Sequence, residues 1–270
     1  ETNEPAFGLP ALWITEDDRS TAEHRNYTVV EPSSVLATHL TEIIRKHAAE
    51  LLTRQDVTRL LDHLKEKSPK LVEEIVPDQL KIGEIQSVLQ NLLRERVPIR
   101  DLETILETLG DWAGRTKDAE ILTEYVRNAL ARTLCEQYRD SDNTIHGVTL
   151  DPSLEELIGS HVERTDRGSY LTVPPALANR IVAAIRNEVD AAAARASGKP
   201  PVVFTSPQVR QWVRRLVESA LPTVAVLGYG EVVRGVNIRT HGMVTLDLPV
   251  DGQGKGMTDG SENVSSPVNV

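Results

Sequence analysis

The chain has 270 residues, with 30 Lys and Arg against 40 Asp and Glu, a formal net charge of −10. With 40% hydrophobic and 26% charged residues it suits one or two ordinary globular units, not a disordered chain, a collagen-like repeat or a disulfide-stapled miniprotein. The acidic balance argues against a nucleic-acid binder and against a polybasic grip on lipid. The single Cys135 can form neither an internal disulfide nor a multi-Cys zinc site, which fits a reducing compartment. No stretch approaches the roughly 18–20 consecutive apolar residues of a membrane helix, and the start carries no signal-peptide pattern. The first residue is Glu1, not Met, so a piece of a longer protein is expected.

Residues 1–26 open on a Gly/Pro-marked stretch from Glu4 to Ile14 and continue into a charged helical patch, Glu16 to Arg25. Tyr27-Thr28-Val29-Val30 reads as a short strand stopped by Pro32. From Ser33 to about Arg139 the apolar spacing is helical. Leu36, Leu40, Ile43, Ile44, His47 and Leu51 line one face, and Val57, Leu60, Leu61 and Leu64 line the next. Ser68-Pro69 predicts an N-cap with a first-turn proline. A helix through Ile85, Val88, Leu89, Leu92 and Leu93 is expected to end at Pro98. That proline is expected to open the helix of Leu102, Ile105, Leu106 and Leu109. Asp118 to Glu136 adds one more helical segment.

Beyond Arg139 the texture changes. Ile145 to Leu150 predicts a strand, Asp151-Pro152 a helix start, and Glu163 to Ser169 a polar interruption. A helix follows from Pro175 to about Ala196, with Gly198 as its stop. The strand of Pro201–Thr205, the helix of Val209, Trp212, Val213, Leu216 and Val217, and the strand Val224–Leu227 make a βαβ unit. The Gly-rich residues 251–270 predict a disordered tail. The fold class is thus α+β, mostly helical: a helical subdomain followed by a smaller α/β subdomain.

Motifs of enzyme chemistry are missing. There is no His-Glu-x-x-His pair, no Gly-x-Ser-x-Gly elbow, no phosphate loop and no dinucleotide-binding glycine fingerprint. His39 and His47 lie eight residues apart, too far for joint ligation on one helix. Gly228-Tyr229-Gly230 reads as a turn and Cys135 as a partly buried structural thiol. No catalytic, metal or cofactor site is predicted. A soluble α/β hydrolase or transferase would need a pocket of convergent ionisable groups near Phe204 and Leu227, where the sequence offers Thr205, Ser206 and Tyr229 but no base.

Several segments carry a resemblance. They are Phe7-Gly8-Leu9-Pro10-Ala11-Leu12-Trp13-Ile14, Tyr27 to Val30, Leu36-Ala37-Thr38-His39-Leu40, His47 to Leu52, the run Val88 to Asp101, Thr104 to Leu109, Leu122 to Arg127 and Ala129 to Arg132. In order and spacing the chain resembles the cytoplasmic part of the flagellar type III export-gate family, over about residues 4 to 246. The injectisome (virulence) gates are close relatives. Ala37-Thr38-His39-Leu40 and Arg94 to Asp101 favour the flagellar branch.

The resemblance implies a membrane-embedded N-terminal half outside this chain and a location at the cytoplasmic face of the bacterial inner membrane. It assigns residues 1–31 to a remnant of a second cytoplasmic subdomain and 32–51 to the closing helix of the first. Residues 52–131 become a helical third subdomain and 132–250 an α/β fourth. It further implies a homo-oligomeric ring, nonameric in the family, that docks export chaperone–substrate complexes and meets other export-apparatus and export-ATPase components. The family's chaperone-binding motif maps to Glu4, Phe7 and Thr38; the family more often has Asp where this chain has Glu4. On the residues alone, Phe7, Leu9 and Trp13 can equally fasten the segment to its own subdomain. Arg94, Arg96, Arg100 and Asp101 can serve either ring contacts or the helix termini beside them.

Overall fold

The computed structural model describes residues 1–165, 168–195 and 199–246. At the start, β1 (Thr2–Asn3) and β2 (Pro10–Ala11) pair antiparallel, and a 3-10 turn at Glu16–Asp18 leads into α1 (Arg19–His24). The strand expected over Tyr27–Val30 is absent. No strand lies beside it among the described residues, and Tyr27 and Val30 stay exposed. Without a neighbour, an extended run has no ladder for its backbone groups.

Next come α2 (Pro32–Lys46) and α3 (Ala48–Leu51), broken at His47. The apolar stripe read from the spacing is present but uncovered: Leu36, Leu40, Ile43, Ile44 and Leu51 are all exposed. The end of this segment is anchored. Ala49 is buried, α3 packs on α6 (Ile82–Arg94), and the Leu52 carbonyl accepts from Gln86 Nε2 (2.9 Å) and Gln90 Nε2 (3.2 Å).

The helical unit proper begins at α4 (Arg54–Lys67), whose reciprocal Thr53–Asp56 capping bonds satisfy first-turn donors. Helix α5 (Pro69–Ile75) has its first-turn proline, but Ser68 does not cap it; its hydroxyl donates to Glu103 Oε1 at 2.5 Å. Nor does Pro98 set the next boundaries. Helix α6 ends where Arg96 turns to φ 58° and Val97 N–H bonds back to Leu92 O at 2.8 Å. Asp101 then opens α7 (Leu102–Ala113) by accepting from Thr104 N. The single segment expected from Asp118 is two helices, α8 (Ala119–Ala129) and α9 (Ala131–Tyr138), broken at Leu130. Val57, Ile85, Leu89, Ile105, Leu109 and Val126 bury completely between these helices.

The α/β unit runs β3 (Thr144–Leu150), α10 (Pro152–Ser160), β4 (Val162–Thr165), β5 (Gly168–Leu171), α11 (Pro175–Arg195), β6 (Val202–Thr205), α12 (Arg210–Val217), β7 (Val226–Gly228) and β8 (Asn237–Val244). The expected βαβ unit is β6–α12–β7, with its strands parallel. Two elements were not expected: the β4–β5 hairpin, where only a polar interruption was read, and β8. The sheet has the order β7-β6-β3-β8, every pair parallel. Val148, Leu150, Val203 and Val226 face a core shared with α10, α11 and α12. Ile145, Val202, Phe204 and Leu227 point the other way, onto Cys135 of α9. Covering both faces is what an all-parallel sheet requires. Cys135 is fully buried, its thiol donating to Glu231 O at 3.3 Å. The expected stop Gly198 and the expected tail, 251–270, lie outside the described residues.

Gly147 permits this two-sided packing. A Cβ there would come within 2.7 Å of the Phe204 ring and closer still to the Val202 carbonyl of the paired strand. Gly147→Ala should therefore cost about 1–3 kcal/mol by overpacking, read as a lower urea midpoint at unchanged slope. Wild-type stability would show that the sheet yields freely at this point.

Candidate functional site

Glu4 and Phe7 share one small turn. Gly8 at φ 72° and the Gly8 N–H to Glu4 O bond of 2.8 Å reverse the chain between β1 and β2. The Glu4 carboxylate closes the turn from inside, accepting Ala6 N–H at 2.8 Å and Phe7 N–H at 2.7 Å. Glu4 thus spends its carboxylate oxygens on its own backbone, and Phe7 is held at the tip with 64% of its surface exposed. Leu9, Leu12 and Trp13 are exposed on the same short segment. Thr38 lies on α2 with its side chain in solvent. The turn brings Glu4 and Phe7 together, and among the described residues no hydrogen bond joins Thr38 to either.

The Arg94–Asp101 region does local work. Arg94 Nη1 donates to Asn91 Oδ1 at 2.5 Å, Arg96 Nη2 lies 3.8 Å from Glu42 on α2, and Asp101 caps α7. The residue of consequence there is Glu95, which was not singled out. It ends α6 and meets Arg127 of α8 (Nη1, 3.1 Å) and Arg210 of α12 (Nη1 at 2.6 Å, Nη2 at 3.0 Å). Arg127 also donates through Nε to Glu231 at 2.6 Å, and Arg210 through Nε to Glu124 at 2.6 Å. Both guanidinium groups reach the Val226 carbonyl of β7. Arg127 and Arg210 are 2% and 1% exposed.

These pairs bind the helical unit to the edge of the parallel sheet. Burial alone would push Glu95 up, but Arg127 and Arg210 outweigh it and hold the carboxyl at about 2. Beside them Arg214 is pulled down by its own burial while donating to Val224 O at 3.0 Å. A sequence signal existed: Arg127 and Arg210 sit among Val126, Leu130, Val209 and Val213 on apolar faces, and a cation buried there demands a partner.

Near Phe204 and Leu227 the polar groups are engaged in local structure. Tyr229 stacks on Phe204 with centroids 6.1 Å apart, and Ser206 N–H donates to Glu155 Oε1 at 2.8 Å. The crevice bounded by Glu95, Tyr138, Pro222 and Leu227 has a volume of about 10 Å³, room for a single water. Among the described residues no three His, Cys, Asp or Glu are placed to hold a metal ion, and no helix is long and apolar enough to cross a membrane.

The architecture defines a class: a two-part α+β domain locked at an internal joint, with an uncovered apolar N-terminal segment. The model of the FHIPEP family matches residues 1–237, and the chain belongs to that family. It is 42% identical over 246 residues to the flagellar biosynthesis protein FlhA of Bacillus subtilis, covering 91% of this chain and 36% of that protein. Against the FlhA of Escherichia coli K12 it is 39% identical over 238 residues, covering 88% and 33%. The chain thus spans about a third of the length of the curated relatives it matches. Among solved structures it is similar to the Chlamydia pneumoniae CdsV protein (TM-score 0.80, 31% identity, 90% of this chain and 69% of that one). It is also similar to nonameric EPEC SctV-C (TM-score 0.73, 29% identity, 85% and 68%).

Proposed function

We propose that this chain is the cytoplasmic docking and ring-forming part of a flagellar type III export gate, at the inner membrane, and that it binds chaperone–substrate complexes during flagellum assembly. It makes and breaks no covalent bond. The observation that carries this reading is the Glu4-built turn, which spends a carboxylate to hold an aromatic ring in solvent. A rigid aromatic beside other exposed apolar groups is the anchor that an interface hot spot needs. Thr38 and the exposed α2 stripe are proposed to continue that surface. The similarity to nonameric SctV-C supports a ring, and a solved complex of CdsV with CdsO supports contact with further export components. We assign residues 1–31 and 32–51 to the remnants of two subdomains, 52–131 to a helical third and 132–250 to an α/β fourth.

Injectisome-type export is the second reading, because the similar solved structures include the EscV cytosolic domain of a type III secretion system at 30% identity. The flagellar relatives, at 37–42%, favour the first. The test titrates a cargo-loaded flagellar export chaperone against the complete cytoplasmic domain carrying Phe7 or Phe7→Ala. Loss of the ring should weaken binding by about 2 kcal/mol, roughly thirtyfold. Equal affinities would remove Phe7 from the surface.

A further inference from the structure

The edge strand β8 is fastened to β3 by a chain of three titratable side chains outside the surfaces above. Asp140, in the turn before β3, accepts Thr144 N–H and Asp142 N–H, each at 2.9 Å, and receives His146 Nε2 at 2.9 Å. His146 of β3 places Nδ1 2.7 Å from Nε2 of His241 on β8, and the two rings stack with centroids 5.0 Å apart. This chain borders a cleft of about 560 Å³ lined by Arg139, Asp142, Lys199 and Arg239 among others.

We infer that the Asp140–His146–His241 chain is a proton-operated latch, which holds β8 on β3 while the histidine pair is neutral or carries one added proton and releases it when a second is added. The ionised Asp140 keeps a proton on His146 Nε2. With the pair uncharged, His241 Nε2–H donates to His146 Nδ1; with one proton, His146 Nδ1–H donates to His241 Nε2. Both states keep the 2.7 Å bond. A second proton leaves two N–H groups facing each other, and neither can accept.

The surroundings make that state worse. Arg239 on β8, Arg195 ending α11, Arg139 after α9 and Lys199 before β6 are cations near the pair. Asp142 and Glu188 of α11, packed against Gly242, are the anions besides Asp140. Burial, then His146, Arg239 and Arg195, lower the His241 pKa from its ordinary value. Protonation below about 6.5 therefore favours the released strand, and stability at this edge falls with pH. Strand β8 can respond by itself, since it pairs on one side only and its first four residues are exposed.

The test is amide exchange of the full chain between pH 7.5 and 5, corrected for the pH dependence of chemical exchange. Protection across Asn237–Val244 should fall, approaching tenfold per pH unit once the second proton binds, while α6 holds its protection. His241→Gln keeps a donor and an acceptor for His146 but takes no proton, so its β8 protection should be flat. Wild-type protection flat relative to α6, or the same slope in His241→Gln, would overturn the latch. Should that variant fail to fold, ring-nitrogen titration of the wild type decides. Two well-separated proton uptakes support the latch, and two independent ones both near 6.5 refute it.

Discussion

Arg210→Met should destabilise the fold by about 3–5 kcal/mol, the loss typical when one partner of a buried ion pair is removed. Methionine keeps most of the side-chain volume, so the change reads charge and hydrogen bonding more than cavity. It would leave Glu124 without its buried cation and Glu95 with Arg127 as its remaining close partner. It would also strip a donor from the Val226 carbonyl at the sheet edge. Because Arg210 joins α12 to the end of α6 and the middle of α8, the helical and α/β units should also unfold less cooperatively, with separate transitions by fluorescence and by circular dichroism. Arg215→Met is the control one turn further along. Its partner Glu120 is near solvent and its guanidinium rests over the Trp212 ring, so about 0–1 kcal/mol is expected. Equal losses in the two variants would deny the buried joint its role.

That joint shows where legibility in the sequence ended. Helices α4, α6 and α7 could be read because their stripes repeat within one or two turns and bury as the period demands, except that Leu60, read as part of the α4 stripe, lies at its edge and stays exposed. The βαβ unit could be read because β6 and the run Val224–Leu227 that leads into β7 are apolar stretches between clear punctuation. Arg127 and Arg210 lie 32 and 115 positions along the chain from Glu95, and no local pattern connects the three. Strand β8 was invisible for another reason. It mixes Arg239, Thr240 and His241 with Ile238 and Met243, and at an edge with one paired side nothing enforces an alternating pattern. The opposite error came at Tyr27–Val30, where β-branched residues signalled a strand but no strand lies beside it among the described residues. Of the candidate site, the sequence marked the segment through Gly8 and its flanking prolines. The use of Glu4 as the acceptor inside that turn needed coordinates. Thr38 has no local signal, since an exposed threonine on a helix resembles any other.

Acid provides the second large effect, and its sign follows from Glu95. The carboxyl sits at about 2 in the folded chain against an ordinary value of 4.5, because two buried arginines outweigh the cost of burying it. Between those limits the unfolded chain takes up a proton that the folded chain refuses, so acid favours unfolding. The stabilisation from Glu95 is fully present above about pH 4.5 and is lost as the pH falls toward about 2, a change on the order of 3 kcal/mol. Asp56, Asp140 and Asp151, lowered by the hydrogen bonds they accept, act in the same direction, so acid sensitivity alone does not isolate the joint. The difference between wild type and Glu95→Gln does. Glutamine cannot ionise, so the stability gap from urea titrations should be widest above pH 5 and should close as the pH approaches 2. A gap that stayed constant from pH 6 to pH 2.5 would mean that Glu95 acts through shape and hydrogen bonding, and that its charge does not hold the two units together.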